Sequence, residues 1–379
     1  FAFSTSHAKT VNVGIILGFT GPIESLTPDM AAGAELAFSE ASNSGNLLKG
    51  SKINVIRADS TCIDSAAATS AAEGLVSQGV TAIMGADCSG VTGAILSNVA
   101  VPNGVPMISP SATSPGLTTA KDNGLFFRTA PSDARGGEVL ADITADRVSS
   151  VAITYVNTDY GVGLADVYEA AAIARGIEVT AKTAHEGDKA DYSAEVGVLS
   201  AAGGDALAVI GYLDQGGNQI IQGSLDSGAF DTFVLSDGMI GDSLTDTFGS
   251  DIDGSFGSMP GSLGAGAQKF KAYAEANGVN PSVYVGESYD AAALIVLAMA
   301  YGGSDDSATV AANIMKVANG PGTKIYAGEL AKGLRLASQG FAVDYDGATD
   351  VNFTDVGEAF GAFIEKGISG GSFTDVAQR

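Results

Sequence analysis

Short apolar runs alternate along the chain with longer segments whose apolar residues return every three to four positions, the periodicities of buried strands and amphipathic helices. In the first part of the chain strands are predicted at 11–17, 53–58, 81–84 and 106–109, with helices between them at 28–42, 65–78 and 92–101. The alternation then restarts. Helices at 134–147, 162–175, 194–202 and 217–227 interleave with strands at 151–156, 177–181, 206–210 and 232–235. Strand–helix–strand order of this kind builds a parallel sheet with helices on both faces. The predicted fold class is therefore α/β, with two doubly wound parallel-sheet lobes in series. Helices at 268–277, 282–301 and 307–318 and late strands at 341–345 and 359–365 are left over. Shared termini account for them. Residues 1–130 plus 261–340 are expected to form an N-terminal lobe, and 131–260 plus 341–379 a C-terminal lobe. The chain would cross near Ala130, Pro260 and Gly340, giving a three-strand hinge.

Composition narrows the function. A chain of 379 residues, 45% of them hydrophobic, can fill two cores. Its 43 acidic residues outnumber 19 basic ones, for a net charge of −24. Such a surface repels phosphates, so nucleic acid is excluded as a partner and an anionic membrane surface is disfavoured. No segment approaches the roughly 18–20 apolar residues of a membrane helix, and the best run, 291–300, reads as a buried helix. The chain opens at Phe1 without Met and without a charged start before an apolar core, so a processed, secreted form is expected. Cys62 and Cys88 leave two readings open, one disulfide or two buried thiols. A disulfide would contribute about 3–4 kcal/mol by loop closure and imply an oxidising compartment.

In open α/β sheets ligands bind beyond the carboxyl ends of the strands. Those positions hold Gly18-Phe19-Thr20-Gly21-Pro22, Gly85-Ala86-Asp87-Cys88-Ser89 and Ser109 to Pro115 in the first unit. In the second they hold Asn157 to Gly161, Gly211-Tyr212-Leu213-Asp214-Gln215 and Ser236-Asp237-Gly238. The first set offers hydroxyls and helix N-termini, which suit a carboxylate. The second offers carboxylates and a phenol, which suit an ammonium. Together they fit a zwitterionic α-amino acid. The plain alternative for Ser89, Ser111 and Thr113 is helix capping. For Asp237 and Tyr160 it is a turn beside glycine.

Enzyme signals are poor, and no catalytic residue, cofactor or metal is expected. The only two histidines are His7 and His185, neither placed beside a nucleophile. Zinc needs more His or Cys than the chain has. The glycine-rich segment 261–267 lacks the lysine of a phosphate loop. Asp344-Tyr345-Asp346-Gly347 with Asp350 places its glycine too early for a calcium-binding EF-hand and reads as a polar turn.

Several segments carry a resemblance when taken together: 18–22 (GFTGP), 30–39 (MAAGAELAFS), 59–62, 85–89, 108–115 (ISPSATSP), 127–129 (FRT) and 159–161 (DYG). Over nearly its whole length the chain resembles the type I periplasmic binding proteins of the leucine/isoleucine/valine-binding group, components of branched-chain amino acid ABC importers. The resemblance implies a Cys62–Cys88 disulfide. It implies that Ser89 and Thr113 bind the ligand carboxylate with backbone N–H groups, including that of Ala112. The carbonyl of Ser111 and the acid Asp237 would bind the ammonium, and Tyr160 would line the cleft. It further implies a monomer in the periplasm that closes on its ligand and docks on a membrane permease. The chain departs from the group at three places. Asp237 stands where the leucine-binding type has Glu. Leu213 or Asp214 stands where that type has an aromatic after the strand at 206–210. Leu26 is what the 23–28 loop offers in place of an aromatic. An extracellular sensor of the same fold is the rival reading, and Asp87, Asp214 and Asp237 together would favour a polar or cationic ligand.

Overall fold

The computed structural model describes residues 8–379, so His7 lies outside the described residues. The first lobe opens with β1 (Thr10–Leu17), α1 (Thr27–Asn43), β2 (Lys52–Asp59), α2 (Ser65–Ser77) and β3 (Ile83–Gly85). It continues with α3 (Ser89–Ile95), which runs through a π turn into α4 (Val101–Asn103), then β4 (Met107–Ser109) and β5 (Phe126–Arg128). The five strands form a parallel sheet in the order β2-β1-β3-β4-β5. Residues Val13 to Leu17 of β1 are buried on both faces, as a strand covered by helices must be.

The second lobe follows: α5 (Asp133–Ala145), β6 (Ser150–Val156), α6 (Asp159–Ala174), β7 (Glu178–His185), α7 (Ser193–Ala202), β8 (Ala206–Ile210), α8 (Gly217–Ser227), β9 (Phe233–Leu235), α9 (Asp242–Phe248) and β10 (Phe256–Pro260). The chain then returns to the first lobe with α10 (Ala265–Ala276), α11 (Val285–Gly302), α12 (Ser307–Ala318), β11 (Thr323–Tyr326), α13 (Leu330–Ser338) and β12 (Val343–Gly347). It ends with β13 (Phe363–Ser369) and β14 (Ser372–Gln378). These complete a seven-stranded sheet, β14-β13-β10-β9-β8-β6-β7, with β13 and β14 antiparallel to their neighbours.

The first lobe is organised around α11, buried on every side from Val285 to Ala300. A helix that apolar all round needs helices and a sheet against all its faces, and α1, α12 and α13 supply them. Close approach of α1 depends on Gly33, where a Cβ would stand 2.6 Å from the Val285 carbonyl oxygen.

The chain crosses between lobes after β5, after β10 and between β12 and β13. The last crossing differs from the expectation. Residues 341–347 were predicted to join the second lobe, yet β12 pairs in parallel with β11 in a separate two-stranded sheet. Burial explains this. Val343 and Tyr345 are fully buried, and the Tyr345 hydroxyl donates to Asp290 Oδ1 of α11 at 2.6 Å. Asp290 also accepts from the Ala348 and Thr349 amides. The crossing therefore lies within 348–362. The acidic segment read as a turn is the end of this strand.

Candidate functional site

The two lobes meet at the carboxyl ends of their parallel strands, the position the fold reserves for ligands. β3 delivers Asp87, Cys88 and Ser89, and β4 delivers Ser111, Ala112 and Thr113. From the other lobe, α6 begins with Asp159 and Tyr160, β8 leads into Tyr212, and β9 leads into Asp237. Between them is a small cavity lined by Ile23, Leu26, Asp87, Cys88, Ser89, Ser111, Tyr160, Tyr212, Asp237, Gly238 and Tyr284. About 20 Å³ of it is open to the centre of a water molecule, room for about one water.

A disulfide between Cys62 and Cys88, with Cα atoms 5.1 Å apart, ties the β2–α2 loop to the β3–α3 loop. It thereby fixes the wall that carries Ser89. The Ser89 hydroxyl accepts the Ser114 N–H at 3.0 Å. Cys88, not Ser89, occupies the N-cap of α3, so the Ser89 proton remains available to the cavity. Ser111 Oγ donates to the Asp87 carbonyl at 3.1 Å, linking the two loops. Thr113 does not line the cavity; its buried hydroxyl faces the Asp133 carboxyl. The Ala112 N–H is used within the lobe, donating to Ser109 Oγ at 2.9 Å.

Two acids of the expected set have structural duties. Asp87 accepts the Gly18 N–H at 2.6 Å, the Ser60 hydroxyl at 3.0 Å and the Cys88 N–H at 3.0 Å. Burial raises its pKa, and these donors pull it back. It lines the cavity with both oxygens engaged. Asp214 lies at the rim and joins the lobes. Its N–H donates to the Pro22 carbonyl, and its Oδ2 accepts the Ser25 N–H, both at 2.9 Å.

Asp237 is the acid presented to the cavity from the second lobe. Tyr160 donates to its Oδ1 at 2.6 Å, and Tyr284, from the first lobe, donates to its Oδ2. The Tyr160 oxygen in turn accepts the Gly238 N–H at 3.2 Å and lies 2.9 Å from Ser236 Oγ. Glycine is required at 238, because a Cβ there would stand 2.5 Å from the Gly211 carbonyl oxygen. Burial raises the Asp237 pKa, with the two phenols opposing it. Asp133, at the start of α5, is pushed well above the carboxylate range by burial and by the charge of Asp237. The Thr113 hydroxyl beside it pulls in the opposite direction.

Tyr212, Tyr284 and Asp133 were missed from the sequence. The aromatic sought after β8 is present as Tyr212, which stacks on Tyr160 with ring centroids 5.1 Å apart. Leu213 is buried beside Gly241 and Asp214 faces the rim, so neither takes that place. Tyr284 sits at φ 61° just before α11, a left-handed conformation uncommon for a residue with a side chain. His185 is far from a catalytic arrangement. It is buried in the second sheet on Thr154, at 2.8 Å, and burial lowers its pKa to about 4.

Two α/β lobes linked by three crossings, meeting over a small cavity at the carboxyl ends of their strands, have the architecture of a solute-binding protein. The chain belongs to the periplasmic binding protein family, whose model matches residues 10–329, and within it to the type I, leucine/isoleucine/valine-binding group. Leu/Ile/Val-binding protein homolog 3 of Brucella melitensis is 34% identical over 218 residues, 57% of this chain and 58% of that protein. Homolog 1 of Brucella abortus is 31% identical over 320 residues, 82% of this chain and 83% of that one. In fold, the chain is similar to the leucine-binding protein LivK of Thermotoga maritima, with a TM-score of 0.80, 22% identity and 97% and 98% of the two chains covered. Among the described residues no helix is long and apolar enough to cross a membrane.

Proposed function

We propose that this protein captures an α-amino acid between its lobes outside the cytoplasmic membrane and delivers it, as the closed monomer, to the permease of an ABC importer. The observation that carries the reading is the asymmetry of the small cavity. One wall offers the Ser89 hydroxyl. The opposite wall offers the Asp237 carboxylate. A zwitterion would satisfy both walls at once, and only when the lobes are together, so binding favours closure. The ligand's carboxylate would take the Ser89 proton, and its ammonium would replace a neutral phenol donor at Asp237 by a charged one. The names of the curated relatives support an amino acid as the ligand class. A disulfide supports an oxidising, extracytoplasmic setting.

The cavity is narrower than an amino acid, so the lobes or Tyr284 must give way on entry. A thermal-shift screen against all amino acids, short amides, polyamines and aromatic acids tests the assignment. A ligand of the folded state raises Tm as its concentration exceeds Kd. A shift with at least one α-amino acid is expected. Shifts confined to solutes lacking either the carboxylate or the ammonium would overturn it.

A further inference from the structure

A second, much larger space adjoins the small cavity. It is a cleft of about 720 Å³ walled by both lobes, and Leu26 and Tyr284 line it as well as the inner cavity. Tyr284 and Leu26 therefore stand between the two spaces. One helical turn beyond Tyr284 on α11 stands Glu287, only 4% exposed, lining the cleft. Its carboxyl receives no hydrogen bond or ion pair from any other described residue. Its own backbone N–H lies against the carboxyl, and its backbone carbonyl accepts from Thr129 Oγ1 at 2.9 Å. The other charges around the cleft do not answer it. Asp29 is occupied by Asn280 and Ser282, and Lys366 is paired with Asp375. Glu275 and Asp242 add negative charge, and Lys271 is the remaining base in the lining. Asp290, on the same helix, repels a charge on Glu287 and serves the third crossing instead.

A carboxyl on a nearly buried residue, paired with no other side chain among the described residues and lining an acid-rich cleft beside an amino acid site, has the chemistry of a receptor for a cation. We propose that the cleft takes the distal ammonium or guanidinium of a basic amino acid, with Glu287 as its counter-ion and Tyr284 turned aside to join the two spaces. The inference rests on the amino acid reading of the inner cavity and names the substrate class within it. It also relocates the cationic preference, since Asp87 and Asp214 are spent on internal hydrogen bonds.

Calorimetry at pH 7.5 with L-lysine, L-arginine, L-leucine, L-norleucine and cadaverine, on the wild type and Glu287→Gln, tests it. Norleucine copies the lysine chain without its charge. Lysine or arginine is expected to bind about tenfold or more tighter than norleucine, the scale of a hydrogen bond to a charged group. Glu287→Gln should collapse that ratio while leaving norleucine unchanged. Burial holds the Glu287 carboxyl up to about 8, so lysine binding should also release a proton, read from heats in buffers of different ionisation enthalpy. Glu287→Met, which keeps the volume, serves as the second variant if Gln misfolds. Norleucine or leucine binding as tightly as lysine would overturn the subsite and leave the amino acid reading standing. Cadaverine binding that depends on Glu287, with no α-amino acid bound, would leave the subsite standing and overturn that reading. No binding by any of the five would overturn both.

Discussion

Tyr284 of the first lobe donates its phenolic hydrogen to Asp237 of the second, across the cleft that separates them. Asp237 thus accepts a hydrogen bond from each side, from Tyr160 of its own lobe and Tyr284 of the other. An incoming ammonium must compete for the same oxygens. Tyr284→Phe removes the competitor and one bond holding the lobes together. A neutral hydrogen bond contributes about 0.5–1.5 kcal/mol net, so the variant should bind its amino acid about threefold or more tighter, and the free protein should expand in solution scattering. Weaker binding would mean that the phenol serves the ligand instead.

Arg128 ties the site to the hinge. Fully buried, it donates from Nη1 to the Ala112 and Ser114 carbonyls at 3.0 and 2.9 Å, and from Nη2 to Glu358 at 2.5 Å. Glu358 lies on the third crossing. Arg128→Met would strand that carboxylate and free the loop carrying Thr113. Breaking a buried pair costs about 3–5 kcal/mol. Denaturant unfolding should show a loss of that order, and a loss below 1 kcal/mol would remove Arg128 from this role.

The Cys62–Cys88 bridge closes a loop with a sequence separation of 26. Its removal by Cys62→Ser/Cys88→Ser should cost about 3–4 kcal/mol on the loop-closure model. Because it also pins the wall bearing Ser89, affinity should fall together with stability. An unchanged affinity in the folded variant would show that the wall holds without it.

Buried acids give the stability a pH dependence of definite sign. Burial raises Glu287 to about 8 and Asp290 to about 7 in the folded state. A carboxyl raised on folding keeps its proton where the unfolded chain has lost it. Its contribution is complete below the ordinary carboxylate range and is lost as pH rises through the folded value. Tm should therefore fall between about pH 5 and 8.5, and Glu287→Gln should fall less steeply. Parallel curves for the two proteins would show that Glu287 does not titrate in this window.

Much of this was legible in the sequence. The parallel strands at the cores of both lobes are continuous apolar runs, and the helices that cover them keep their period. Ser89, Ser111, Tyr160 and Asp237 were reachable because parallel strands place ligands at their carboxyl ends. What escaped depended on contacts made far along the chain. β5 and β11 are short, and β14 carries polar residues on an exposed edge. The strand at 341–345 was legible, but its place was not: the partners of Val343 and Tyr345 lie on α11 and β11, far along the chain in the first lobe, and Asp344 to Gly347 had read as a polar turn. Tyr284 fell inside the helix predicted at 282–301, whereas α11 begins at Val285, and nothing local marks the tyrosine as reaching across to Asp237.

The most direct test of the central claim is calorimetric titration of the wild type and Asp237→Asn with the amino acid giving the largest thermal shift. The account predicts one site per chain, a loss of affinity of about tenfold or more in the variant, about 1.4 kcal/mol or greater, and an unfolding midpoint no lower than that of the wild type. Equal affinity in the two proteins, or no binding of any α-amino acid to the wild type, would contradict it.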